Sequence, residues 1–172
     1  MMFLQVILVT VGLLLAAAAY FDWRSRRIPN WIPLSIFALY GAFLAVQYGF
    51  DLPGQPLALW PSLAVGLGVA LVFALLFALN YIGGGDVKLI AAMGFWAGWE
   101  GILPFLLLMA LSGGVLALGY LALDRLRKKA EDGGSGANSS KSERKKLKIP
   151  YGIAIAIAGL FVVNNILTFL LA

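Results

Sequence analysis

The sequence predicts an all-α integral membrane protein of six transmembrane helices with both termini on the non-cytoplasmic side. Three observations carry that expectation. Of the 172 residues, 62% are hydrophobic and 12% charged, with a mean hydropathy of +0.92; soluble domains are roughly 45–50% apolar. The apolar residues come in continuous runs of about 20, which suits spanning helices, whereas an outer-membrane barrel would alternate. All thirteen Lys and Arg fall in three connections: Arg24, Arg26 and Arg27; Lys88; and nine residues from Arg125 to Lys148. A six-span chain puts these three connections on one side, and the positive-inside rule makes that side cytoplasmic.

Each run has its own signature. Residues 2–20 are apolar and end in four alanines, like a cleavable signal. They lack a basic leading segment and are followed by three arginines, so they read as a retained first helix. Residues 32–48 form a second span, closed by a short turn with Pro53 and Gly54. Residues 57–79 form a third, with Ser62, Gly66, Ala70, Ala74 and Ala78 at every fourth position. Such a ridge of small side chains lets helix backbones approach closely. Residues 87–99 are short, about 20 Å of helix against a bilayer core of about 30 Å, so this span is extended by its flanks or enclosed by protein. Residues 102–123 and 149–171 complete the six. All of it reads as one membrane-embedded domain, residues 1–172. Its connection at about 124–148 is basic at both ends and Gly/Ser-rich at 133–140, the composition of a flexible tether. Its charges suit anionic lipid head groups.

The chain has no cysteine and no histidine. Thiol nucleophiles, disulfides and the common metal sites are thereby excluded, and nothing points to a cofactor, a metal or nucleic acid. Carboxylates remain as the natural catalytic groups. Two stand where apolar runs meet the basic side: Asp22, in Asp22-Trp23-Arg24-Ser25-Arg26-Arg27-Ile28-Pro29-Asn30, and Asp86, after Gly83-Gly84-Gly85 and before Val87-Lys88. They are 64 residues apart in sequence, yet the predicted topology sets them at one depth. Two carboxyls that share a site resist ionising together, and the singly protonated pair can take a proton from water while giving one to a carbonyl. That is the chemistry of aspartyl proteolysis. The plainer readings are an interfacial Asp22 paired with Arg24 or Arg26 and an Asp86 that caps a helix. Three glycines leave the backbone before Asp86 bare, able to accept an extended strand or to make a tight turn. Lys88 reads first as a topological anchor. Asn164 and Asn165 lie in the last run, where polar groups usually hydrogen-bond neighbouring helices.

These stretches resemble a known family. Gly83-Gly84-Gly85-Asp86-Val87-Lys88 resembles the GxGD motif of the type IV prepilin and archaeal preflagellin peptidases. Asp22 with Arg27-Ile28-Pro29-Asn30 is similar to that family's first aspartate motif, and Lys148-Ile149-Pro150-Tyr151-Gly152 to the Pro-Tyr-Gly stretch opening its last helix. The resemblance implies a membrane aspartyl endopeptidase with Asp22 and Asp86 as its catalytic pair. Gly83, Gly84, Gly85, Lys88, Pro150, Tyr151 and Gly152 would support the loop or the substrate. It implies as partner a prepilin-like protein whose short basic leader is cut at the cytoplasmic face of the inner membrane, ahead of a hydrophobic helix. Larger members carry an insertion with cysteines and also N-methylate the new terminus. This chain, without cysteine, resembles the short forms of Tad-type pilus systems.

Presenilin-like proteases share the GxGD acid but have about nine spans and a tyrosine before the first acid; here Phe21 stands there. Outside proteolysis, two membrane acids fit a proton-coupled transporter or a structural subunit of a secretion or pilus machine. Coupling acids usually lie near the bilayer midplane, however, and no internal repeat is visible.

Overall fold

The computed structural model describes residues 2–50, 57–132 and 150–171. All five of its elements are α-helices: α1 (Met2–Ser25), α2 (Trp31–Gly49), α3 (Leu59–Ala78), α4 (Gly84–Asp132) and α5 (Tyr151–Leu171). Each contains a stretch long and apolar enough to cross a membrane. The expected tether at 133–140 lies outside the described residues.

Helix ends follow local chemistry. α1 continues one turn past Asp22 and stops where Arg26 adopts a left-handed conformation, φ 52°. The Arg26 N–H donates to the carbonyl of Asp22 at 2.9 Å, the single bond of an αL helix stop. α3 stops at Asn80, φ 61°. There Tyr81 N–H donates to Leu76 O and Asn80 N–H to Phe77 O, the paired bonds of a Schellman motif with asparagine in the usual glycine place. Past Leu123, residues 124–132 stay helical where the sequence suggests the loop has begun. Its Leu, Ala, Arg and Lys are among the strongest helix formers.

The predicted spans at 87–99 and 102–123 belong to one element, α4, interrupted at Gly98, where φ is 57° and ψ −166°. Only glycine takes such a conformation without strain. Gly85 packs against Ile28, and the Arg26 guanidinium lies 6.0 Å from the centroid of the Tyr120 ring. Arg26 and Ile28 are at most about 7 Å apart along the chain, whereas Gly85 and Tyr120 would stand about 52 Å apart on a straight helix. The element therefore doubles back at Gly98, and its two arms, 84–97 and 99–132, run in opposite directions.

The first arm is the centre of the bundle. Val87, Leu89, Ile90, Ala92, Met93, Phe95, Trp96 and Ala97 are all buried, so the short span is enclosed by protein. α3 runs antiparallel to it, with Gly84 against Phe77, Gly94 against Val69 and Gly66 against Phe95. The expected ridge of small residues packs only in its first half: Ser62 and Gly66 are buried, whereas Ala74 and Ala78 are exposed. α2 adds Phe37, Tyr40 and Phe43, whose rings meet Phe95 and Trp96 at 5.1–5.8 Å between centroids. Trp96 Nε1–H donates to Ile36 O at 3.0 Å, which satisfies the indole while its ring is buried. α1 and α5 close the other side, with Gly159 against Leu15 and Met93.

Candidate active site

Asp22 is 6% exposed. Its Oδ2 accepts the backbone N–H of Gly152 at 2.6 Å. That N–H is available because Gly152 lies in the first turn of α5, where backbone donors have no partner within their own helix. Proline at 150 suits the position before that turn, since its missing N–H costs nothing there. The approach requires glycine: a Cβ on Gly152 would stand 2.8 Å from both Cβ and Oδ2 of Asp22. Asp22 is thus held at two points, its side chain by α5 and its carbonyl by the αL stop at Arg26.

Asp86 lies in the first turn of α4, three residues after Gly83 rather than at the cap itself. It is half-buried and close enough to Asp22 for the two charges to bear on each other. The glycines around it have separate tasks. Gly83 lies under the Asp86 carboxyl, whose Oδ2 would be 3.1 Å from an added Cβ. Gly84 accepts the Phe77 ring, and Gly85 faces Ile28, whose Cβ would be 3.3 Å from an added Cβ. The glycine run therefore lets two neighbours, Phe77 and Ile28, close on the start of α4 and makes room for its own Asp86 carboxyl. The Arg26 guanidinium also lies within electrostatic range of Asp22.

Of the remaining candidates, Lys88 donates to Asn30 Oδ1 at 2.9 Å. Tyr151 packs its ring on Gly113 of the second α4 arm, where an added Cβ would come within 2.9 Å. Asn164 and Asn165 are exposed and belong to the other half of α5, away from Gly152. Asn165 lines a cavity of about 570 Å³ around the Gly98 break, with Ser62, Trp96 and Glu100. That cavity does not touch the acids. A second groove of about 450 Å³ lies between α2 and α4 and is bounded by Asn30, Lys88, Phe37 and Phe95. Two contributors carry no role in the sequence reading. Asn30 appears there only as the end of a motif, and Gly113 shows only as half of a glycine pair in an apolar run. No group of three or more acidic side chains able to hold a metal occurs among the described residues.

Among the described residues, five helices apolar enough to cross a membrane, with two carboxyls within electrostatic range of each other, define a helical membrane protein. The chain belongs to the type IV leader peptidase family, whose model matches residues 8–118. It is 28% identical over 155 residues to a prepilin leader peptidase/N-methyltransferase of Xanthomonas campestris pv. campestris, covering 88% of this chain and 47% of that one. It is 28% identical over 152 residues to the protein of the same name in Aeromonas salmonicida, covering 84% and 44%. With the one from Burkholderia pseudomallei the identity is 33% over 133 residues, covering 60% and 42%. The chain spans less than half the length of these relatives. No solved structure matches it.

Proposed function

We propose that the chain is an aspartic endopeptidase that removes the short basic leader of prepilin-like proteins at the cytoplasmic face of the inner membrane. What supports this reading is that Asp22 and Asp86, 64 residues apart in sequence, lie within electrostatic range of each other, with Gly152 N–H on Asp22. Family membership supports the substrate class.

In this reading Gly152 occupies one lone pair of Asp22 Oδ2 and fixes the carboxyl plane. The unprotonated acid of the pair takes a proton from a water molecule, whose oxygen attacks the scissile carbonyl carbon. The protonated acid gives its proton to the carbonyl oxygen. The resulting diol collapses as the C–N bond breaks: the departing nitrogen takes up the proton that the water lost, and one diol hydroxyl returns its proton to the acid that protonated the carbonyl, which restores the pair. The backbone of Gly83, exposed beside Asp86, leaves room there for a substrate strand.

The same reading has six membrane crossings, because the two arms of α4 run in opposite directions and count separately. Both termini are then external. Arg24, Arg26, Arg27, Lys88 and Arg125 lie at the cytoplasmic end with the acids, as the positive-inside rule requires. The test is cleavage of a synthetic leader peptide by protein purified in detergent. Wild type cuts, and Asp22→Asn and Asp86→Asn do not. A wild-type protein that leaves the peptide intact under conditions where the fold is retained sinks the assignment.

A further inference from the structure

Asn30 occupies the N-cap of α2, yet its side chain makes no capping bond. An asparagine there normally accepts an N–H of its own first turn, and giving that up forgoes local helix stability. Its Oδ1 is instead turned to Lys88 Nζ at 2.9 Å, across 58 residues of sequence. Two positions earlier in the same short loop, Ile28 lies against Gly85 so closely that a Cβ added there would meet the Ile28 Cβ and backbone at 3.3–3.6 Å. The α1–α2 loop therefore holds the start of α4 at Gly85 and again at Lys88, and Asp86 lies between the two.

The direction of Lys88 matters. Two residues along a helix correspond to about 200° of rotation, so Lys88 leaves α4 on nearly the opposite side from Asp86. Its ammonium is spent on α2, away from the acid.

We propose that Asn30 is a positioning residue for Asp86: by holding Lys88 at the start of α2, it fixes the rotation and height of the first turn of α4, and so the placement of the Asp86 carboxyl against Asp22. The inference rests on the acid-pair reading above. Lys88 acts in it as a mechanical tie rather than as the charge partner of the acid. Asn30 and Lys88 then form one unit, and either substitution alone removes what the unit does.

The experiment is a double-mutant cycle on leader-peptide cleavage with Asn30→Ala, Lys88→Met and both together, plus Asn30→Asp. Asn30→Asp keeps an oxygen acceptor for the ammonium. Each single change should lower kcat about tenfold with KM within about twofold, since a small misplacement of a reacting group costs rate rather than binding. The double variant should be no slower than either single one, and Asn30→Asp should recover to within about threefold of wild type. Multiplying losses in the double variant, a wild-type rate for Asn30→Ala, or an Asn30→Asp as slow as Asn30→Ala overturns the inference. So does a loss confined to KM. Asp86→Asn runs beside them: if it still cuts, the acid pair itself is wrong and the inference falls with it. If it is inactive while the cycle is additive, only the positioning role falls.

Discussion

Gly152 gives its backbone N–H to Asp22 Oδ2 at 2.6 Å, joining the first turn of the last helix to the end of the first. The contact leaves no space for a methyl group. Gly152→Ala would put a Cβ 2.8 Å from both Cβ and Oδ2 of Asp22, so either the carboxyl turns or α5 retreats. Leader cleavage should fall by about a hundredfold or more, the scale expected when a catalytic group is misplaced by about an ångström. Thermal unfolding in detergent should change far less. A Gly152→Ala protein with near wild-type turnover would show that the bond has no part in the chemistry.

The acids should behave as one unit. Asp22→Asn and Asp86→Asn should each lower kcat by about a thousandfold or more, and the double variant should be no slower, because groups that act together lose nearly everything at the first substitution. Glu100→Gln is the control. Glu100 lines the cavity at the Gly98 break, and its substitution should leave turnover within about twofold. Rate losses that multiply in the double variant argue against a shared proton.

Stability should be most sensitive at Gly66. An added Cβ would enter the Phe95 ring, with atoms at 2.2–2.5 Å, and that ring is fixed in the aromatic cluster with Phe37 and Tyr40. Gly66→Ala should destabilise the protein by about 1–3 kcal/mol, as overpacking of a close-packed interior does. Adding Phe95→Leu should recover part of the loss. Equilibrium unfolding in mixed micelles reads both, and equal stability of Gly66→Ala and wild type would contradict the packing.

Topology can be checked with fused reporters. One after Ala172 should be active only outside the cytoplasm and one near Ser139 only inside. Deleting residues 133–140 should leave cleavage within a few fold, since closure free energy changes slowly with loop length. Opposite reporter results at either position would overturn six crossings.

How much of this was legible in the sequence varies by kind of feature. Apolar runs announced every helix, because in lipid the backbone must be satisfied internally and length is set by the bilayer. Asp22 and Asp86 stood out since a carboxyl at the edge of an apolar run is costly in ways few other residues are, whereas Gly152 was marked only by the resemblance of its Pro-Tyr-Gly stretch to the family's last helix. The helix stops at Arg26 and Asn80 were not legible. Left-handed stops usually take glycine, and here an arginine and an asparagine accept the conformation. The Lys88–Asn30 bond was also hidden, since each residue has a complete local explanation as an anchor or a cap. Gly113 gained meaning only with Tyr151 opposite it. Half of the small-residue ridge on α3 proved to face outward because spacing defines a face without saying how far a neighbour extends along it.

The break at Gly98 bears on how the protein is assembled. Its acid-bearing arm offers about 21 Å of helix over residues 84–97, too little to span a bilayer core of about 30 Å unaided. The arm that follows is long and presents an apolar face, with Leu103, Leu107, Leu111, Val115 and Leu118 all exposed. On the proposed six-crossing reading the two, joined by one residue, enter the membrane as a hairpin, the second carrying the first. Asp86 is then delivered to its place by a segment that has no part in the chemistry, and a substitution that slows insertion of residues 99–126 would lower the yield of competent enzyme without altering its rate per molecule.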